Sequence, residues 1–310
     1  HNQRFMLELL KAIILGAVQG LTEFLPVSSS GHLVIGSELL QFQEHGVVFD
    51  VCLHLGTLVS VILVFREELL AMVKAPFAII AGNRDESVQH YFLWDLYVVM
   101  ATLPAVVVGL FFKDTIEQLF SSVLIAYCML IVTGLLMTCA RFLPQLDKPL
   151  TLSRSVLVGC AQACAILPGL SRSGPTIFAG MALGIAREKI ARFSFIMSIP
   201  AILGAAVLQA GEMYRSPPSA DVITSLGAGT LMAAFSGYFA IKLLLDIIRR
   251  NRLQWFGYYC LILAAIGLTF HFSPEPEPSV PNVETTRIMP MARIVALFDQ
   301  ISIWLRKSSR

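Results

Sequence analysis

Apolar residues occupy the chain in long blocks, with polar residues between them. A membrane span needs about 20 mostly apolar residues. Six blocks reach that length, at roughly 47–65, 91–112, 122–143, 190–210, 222–245 and 254–272. Two further apolar stretches are interrupted: residues 6–40 break from Pro26 to Gly31, and residues 153–186 break from Pro168 to Gly174. Each interrupted stretch predicts helix, polar turn, helix, with both arms too short to cross. That arrangement is a re-entrant hairpin. The pattern changes after Phe272. Ser273-Pro-Glu-Pro-Glu-Pro-Ser-Val-Pro predicts a stiff, extended linker over 273–286. In 287–310, apolar residues from Ile288 to Leu305 accompany Arg293, Arg306 and Lys307. This suits an interfacial amphipathic helix or a docking segment for a partner. The prediction is an all-α integral membrane protein with one membrane domain over 1–272.

The two breaks resemble each other. Gly16-Ala-Val-Gln19 leads to Leu25-Pro26 and then Ser30-Gly31, and Gly159-Cys-Ala-Gln162 leads to Leu167-Pro168 and then Ser173-Gly174. Gly16 to Gly31 is 15 positions, as is Gly159 to Gly174, and the second copy begins 143 residues after the first. Each copy precedes three spans. A hairpin plus three spans ends on the face opposite its start, so the second copy (153–272) is inverted relative to the first (6–143). Interrupted segments at matching places in inverted halves point to a shared site near the midplane.

The loops 66–90, 141–154 and 246–253 carry nine Lys/Arg residues, against two in 113–121 and 211–221. By the positive-inside rule the first set is cytoplasmic. The mouth of the first hairpin then faces outward, and the second hairpin enters from the inside.

Composition narrows the class. The chain is 56% hydrophobic and 14% charged, where a soluble domain averages about 25% charged. Mean hydropathy is +0.72, which excludes an ordinary soluble domain. Cys52, Cys128, Cys139, Cys160, Cys164 and Cys260 lie in or beside apolar runs. Their spacing fits neither zinc nor a disulfide framework, so they read as packing residues.

The candidate chemistry sits in the breaks. Arg172 lies in Pro168-Gly169-Leu170-Ser171-Arg172-Ser173-Gly174. A guanidinium at bilayer depth costs roughly 2.5–3.5 kcal/mol on insertion scales and needs compensation. Its planar fork suits a phosphate or carboxylate, and the flanking serines and glycines add hydroxyls and backbone amides. An ion pair with Glu23 is the purely structural alternative. The first break supplies Ser28, Ser29 and Ser30 as candidate nucleophiles and His32 as a candidate base. Ser28 could instead cap the second arm, which leaves Ser29 first. Gln19 and Glu23, one helical turn apart, share a face and could ligate Mg²⁺ or Ca²⁺ or simply brace the hairpin. His54, inside a span, reads as an interhelix hydrogen-bonding residue. Gly16/Gly20 and Gly180/Gly184 read as packing pairs. An arginine, serines, a histidine and a carboxylate inside a membrane describe phosphoryl chemistry on a lipid. The alternative on the same scaffold is a transporter or lipid flippase.

Gln19-Gly-Leu-Thr-Glu23-Phe-Leu-Pro26-Val-Ser-Ser-Ser-Gly-His32 resembles the first signature of the BacA-type undecaprenyl-diphosphate phosphatase family. The second signature, PGxSRSxxT, is matched by Pro168, Gly169, Ser171, Arg172, Ser173 and Thr176. The resemblance covers about 6–272. It implies a hydrolase of the bacterial cytoplasmic membrane that converts undecaprenyl diphosphate to undecaprenyl phosphate. That recycles the carrier lipid of peptidoglycan, confers bacitracin resistance and is stimulated by divalent cations. It implies Ser29 as nucleophile, His32 as acid/base and Glu23 with Gln19 at a metal or catalytic element. Arg172 would bind phosphate, with Ser28, Ser30, Ser171, Ser173, Gly174 and Thr176 around it. Expected partners are the polyprenyl diphosphate and membrane lipid, with a homodimer allowed and no nucleic acid. The acid-phosphatase type of lipid phosphatase is excluded, because its SRxxxxxH motif would place histidine where Phe178 stands.

Overall fold

The computed structural model describes residues 2–42, 47–112, 122–215 and 220–272, together with positions 115 and 119. Those residues form α1 (Asn2–Phe24), α2 (Ser29–Leu40), α3 (Val47–Val64), α4 (Arg66–Ile80), α5 (Glu86–Phe111), α6 (Val123–Cys139), α7 (Leu152–Cys164), α8 (Ser173–Ala182), α9 (Arg187–Arg215), α10 (Ala220–Arg249) and α11 (Gln254–Phe272). An isolated bridge between Lys148 and Ile185 is the one strand-like pairing among the described residues. The protein is all-α, as the hydropathy pattern predicts.

Among the described residues, five helices are long and apolar enough to cross a membrane: Gln3–Phe24, Glu86–Phe111, Val123–Phe142, Val222–Arg249 and Gln254–Phe272. A sixth crossing arises if α3 and α4, bent by 83° at their junction, count as one broken span. In each of the five, 22–44% of the most apolar window is buried inside the protein. The remaining apolar surface is a lipid-facing coat, the reverse of a soluble protein's polar exterior. The chain is therefore a multi-pass membrane protein.

Four expected spans appear as α5, α6, α10 and α11, and the block 190–210 lies within the 29-residue α9. Two expectations need correction. First, α1 has 23 residues and is long enough to cross, whereas the hydropathy pattern predicts two short arms for its hairpin. Its polar residues do not end the helix because they find partners. Lys11 Nζ, for example, donates to Glu8 Oε1 at 2.7 Å and to the Gln41 carbonyl at 3.1 Å. The other arms, α2, α7 and α8, have 12, 13 and 10 residues. At about 1.5 Å per residue they fall well short of a ~30 Å hydrocarbon core. Second, the expected loop 66–90 contains α4. Glu67 and Glu68 favour a helix start there. Leu70, Val73, Phe77 and Ile80 form an exposed apolar stripe at helical spacing, while Met72 and Ala75 are buried. This is the pattern of a helix lying in the membrane interface.

Helix pairing exchanges the two halves. The long arm α1 packs chiefly along α10, and α7 packs along α5. Likewise α3 packs on α10, and α9 on α5. The pattern is consistent with the inverted repeat. Equivalent glycines mark equivalent contacts: a Cβ on Gly16 would lie 2.2 Å from the Gly229 carbonyl oxygen, and one on Gly159 would lie 2.2 Å from that of Ala101. Phe24 closes the end of α1 against Phe195 of α9, edge to face at 5.5 Å.

By compactness the chain divides into two units, 1–264 and 265–310. The described part of the second unit is the end of α11, where Thr269 Oγ1 donates to the Ala265 carbonyl at 2.8 Å. The expected linker and amphipathic segment lie outside the described residues.

An ion network ties α4, α9 and α10. Arg192 donates to Glu68 at 2.5 Å and to Glu188 at 2.9 Å, and Arg249 holds both Glu188 oxygens at 2.7 and 2.9 Å. The Arg249 hydrogen bonds, offset in part by burial and reinforced by Arg192, lower the Glu188 pKa from 4.5 to about 2. A depressed acid stabilises the fold above its unfolded pKa, and that contribution is lost as pH falls. The melting temperature of the purified protein is therefore expected to drop between pH 4.5 and about 2. The drop should be smaller in Glu188→Gln, which should also melt lower than wild type at neutral pH. Equal pH slopes would count against the network.

Packing makes a second prediction. Gly16→Ala forces α1 away from α10 and should destabilise by about 1–3 kcal/mol. Gly109→Ala, whose added Cβ has no atom within 4 Å, should be neutral or stabilising by up to ~1 kcal/mol. Thermal unfolding of both variants in one detergent checks the contrast.

Candidate active site

The two helix breaks meet at one cavity. In the first, α1 ends at Phe24 and Pro26 prevents its continuation. The Val27 amide turns back to the Leu25 carbonyl at 2.7 Å. Ser28 then adopts φ +68°, a left-handed conformation uncommon for a residue with a side chain. That turn starts α2 at Ser29. In the second, Gly169 turns the chain at φ +85°, and a Cβ there would lie 2.1 Å from the Ala126 carbonyl oxygen of α6. Only glycine satisfies both constraints. Thr133 of α6 stitches this turn, accepting from the Ser171 amide at 3.2 Å.

The cavity has a volume of about 320 Å³ and is lined by Glu23, Ser28, Ser29, Ser30, Asp50, Val51, His54, Ala165, Leu170, Ser171, Arg172, Ala201 and Ile202. The residues that begin α2 and those just before α8 are thus both on its wall. Helix N-termini carry unpaired N–H groups and the positive end of the helix dipole, which favour anions.

Glu23 is the hub. Its Oε1 accepts from Arg172 Nη2 at 2.9 Å, and its Oε2 accepts from Ser29 Oγ at 2.7 Å and Gln19 Nε2 at 3.1 Å. His54 Nε2 lies 3.5 Å from the same Oε2. The Arg172 and Glu23 side chains are 17% and 6% exposed, so the pair is shielded yet open to the cavity. Arg172 also donates to the Ser194 carbonyl at 3.4 Å.

Of the residues singled out from the sequence, Glu23, Ser28, Ser29, Ser30, Ser171 and Arg172 are together on the wall. Five others lie off it. His32 is tied elsewhere: its Nδ1 faces the Ser28 carbonyl at 2.8 Å, so that nitrogen carries the proton, and its Nε2 accepts from the Tyr259 hydroxyl at 2.5 Å. Gln19 is fully buried behind Glu23. Ser173 and Thr176 are fully buried and bond locally, Ser173 with Ser171 at 3.2 Å and Thr176 with Ser194 at 2.7 Å. Gly174 packs against Pro26, Thr133 and Ser171. Two wall residues, Asp50 and His54, are not among the site residues that the sequence suggests. Their signal in the sequence is two polar side chains one turn apart within the apolar run 47–64.

As a cage for a resident Mg²⁺ or Ca²⁺, the donor set does not fit. The carboxylate that would lead it is already neutralised by a guanidinium, and the neighbouring amide turns its NH₂ toward that carboxylate. Among the described residues, no three His, Cys, Asp or Glu side chains are placed to hold a metal.

Fold and site define a multi-pass membrane protein with a shielded cavity, bearing a paired arginine and glutamate, between two helix breaks. The chain belongs to the family described as bacitracin resistance protein BacA, which matches residues 12–266. The proteins it is similar to include undecaprenyl-diphosphatases of the following three organisms. The Rubrobacter xylanophilus protein is 42% identical over 84% of this chain and 97% of its own length. The Carboxydothermus hydrogenoformans protein is 42% identical over 82% and 94%. The Methanobrevibacter smithii protein is 42% identical over 84% and 96%.

Removing one member of a buried ion pair strands the other charge, at about 3–5 kcal/mol. Glu23→Ala and Arg172→Ala should each destabilise on that scale, and the double variant by clearly less than their sum. A double-mutant cycle by thermal unfolding measures the coupling. Additive losses would mean that the pair carries no structural weight.

Proposed function

We propose that this protein hydrolyses undecaprenyl diphosphate to undecaprenyl phosphate and inorganic phosphate in the bacterial cytoplasmic membrane. The observation that carries the proposal is the sharing of one carboxylate by a serine hydroxyl and an arginine on a cavity wall. The names of the relatives supply the substrate. They also favour hydrolysis over the transporter alternative.

The geometry supports the following reaction. The terminal phosphate enters the cavity and draws the Arg172 fork, which binds its oxygens and neutralises charge as the phosphoryl group transfers. Glu23 Oε2, 2.7 Å from Ser29 Oγ, takes the serine proton. Ser29 Oγ bonds to the terminal phosphorus as the bond to the bridging oxygen breaks, and the lipid monophosphate departs. Water then attacks the phosphoserine, and Ser29 recovers its proton from Glu23. Val51, Leu170, Ala201 and Ile202 give the cavity an apolar side suited to the start of an isoprenoid tail. The Lys/Arg bias of the loops supports a site that opens to the outer face. Recycling of the lipid carrier at that face accounts for a role in envelope synthesis and bacitracin resistance.

Purified protein should release phosphate from undecaprenyl diphosphate. Arg172→Ala should slow release by at least about 10²-fold, and rapid-quench labelling should trap phosphoserine in wild type but not in Ser29→Ala. Full activity in Arg172→Ala would overturn the site assignment. Turnover without a labelled enzyme would point to direct attack by water.

A further inference from the structure

The hydrolysis proposed above leaves two protons without a carrier: one for the departing lipid phosphate and one from the attacking water. We infer that His54 carries both, through Nε2, and that His32 carries neither. The inference rests on the hydrolytic reading of the site.

The two histidines differ in placement. His54 lines the cavity and His32 does not. Both ring nitrogens of His32 are engaged within the protein, by the Ser28 carbonyl and the Tyr259 hydroxyl, and its ring stacks on Tyr259 with planes 16° apart. His54 uses only Nδ1 to hold itself in place, donating to the Asp50 carbonyl at 2.7 Å. That bond fixes the tautomer and leaves Nε2 as the working nitrogen. Nε2 faces the Glu23 oxygen that also receives the Ser29 hydroxyl, at 3.5 and 2.7 Å respectively. Ser29 Oγ and His54 Nε2 are therefore no more than about 6 Å apart, both against Glu23 Oε2. A phosphoryl group that draws Arg172 into the cavity lies within reach of both, its phosphorus for Ser29 and its bridging oxygen for His54.

The ring is also held firmly. Thr230 Oγ1 donates to the Cys52 carbonyl at 3.2 Å, and Ser60 Oγ donates to the Ala234 carbonyl at 2.7 Å. A Cβ on Gly56 would meet the Thr230 carbonyl oxygen at 2.3 Å. These contacts pin α3 to α10 and set the rotation of α3, hence the direction of His54. Among the described residues, the charged groups that share the cavity wall with it are Glu23 from α1, Asp50 from α3 and Arg172 ahead of α8, while the α9 residues on the wall, Ala201 and Ile202, are uncharged.

The proton balance closes over one turnover. Protonated His54 donates from Nε2 to the bridging oxygen as its bond to phosphorus breaks, and Glu23 holds the serine proton. Neutral Nε2 then takes a proton from the water that attacks the phosphoserine. The Ser29–phosphorus bond breaks, and Oγ takes back the proton from Glu23. The site returns to protonated His54, ionised Glu23 and free Ser29.

The test compares His54→Ala, His54→Gln and His32→Ala with wild type, by phosphate release from undecaprenyl diphosphate over a range of pH. Both His54 variants should lose about 10²-fold in kcat with little change in KM. Both should lose the fall in rate on the alkaline side, because the acid that must stay protonated is gone. Added imidazole should restore part of the rate to His54→Ala, a response that a purely structural histidine would not give. Melting temperatures confirm that each variant is folded, and His54→Gln keeps a polar side chain if the alanine variant is unstable. Wild-type kcat and pH profile in either folded His54 variant would overturn the inference. So would an alkaline limb lost in His32→Ala but kept in His54→Gln. If wild type releases no phosphate, the hydrolytic reading itself fails. If wild type is active, Arg172→Ala is inactive and the His54 variants behave as wild type, only the role of His54 fails.

Discussion

A carboxylate and a guanidinium 2.9 Å apart, shielded inside a membrane protein, set the terms for the rest of the site. Neither charge is tolerable there alone. Together they join a helix end in the first half of the chain to a turn in the second, 149 residues away. Glu23 also does to Arg172 part of what a phosphate would do: it sets one anionic oxygen, Oε1, on Nη2. In the proposed reaction the substrate takes over that duty. The guanidinium stays compensated throughout, and Glu23 is released to act on Ser29. The stabilising contact of the ground state and the catalytic contacts are then alternatives offered to one arginine.

Breaking two helices beside this pair leaves backbone groups that lipid cannot satisfy. Contacts within the turns and from neighbouring helices satisfy several of them. Val27 turns back on Leu25, Thr133 takes the Ser171 amide, and the Cys260 thiol reaches the Pro26 carbonyl at 3.5 Å. Ser28 contributes through an unusual conformation, its carbonyl held by His32 Nδ1 at 2.8 Å. On this view His32 is the clamp on a strained turn, and Tyr259 holds the clamp. The turn sets Ser28, Ser29 and Ser30 on the cavity wall at the start of α2.

Much of this is legible in the sequence because it is written locally. A proline and glycines inside apolar runs announce the breaks, and an arginine in one break requires an anion in the other. The repeat spacing pairs the two breaks by position in the chain alone. Other features depend on relations the sequence does not display. Lys11 and Glu8, which the sequence shows as two separate polar interruptions, pair with each other within α1. The helix α4 hides in a loop because its stripe is apolar but its flanks are charged. Distance along the chain puts His32 ahead of His54, since His32 lies beside the serines and His54 lies a span away. Packing reverses that order. The α2 helix turns His32 toward Tyr259, while contacts of α3 with α10 bring His54 to the cavity.

The halves match in scaffold but not in charge, and the mismatch explains how one site can form between two similar hairpins. Gly16 and Gly159 make equivalent close approaches, so α1 and α7 sit equivalently against α10 and α5. One turn beyond Gln19 stands Glu23, whereas one turn beyond Gln162 stands Ile166. Gln162 is buried with neither amide atom hydrogen-bonded among the described residues, whereas Gln19 donates to Glu23. With the anion on one half and the cation on the other, each hairpin is incomplete alone. The pair forms only when the two halves pack, so the chemistry is built at the interface that holds the fold together.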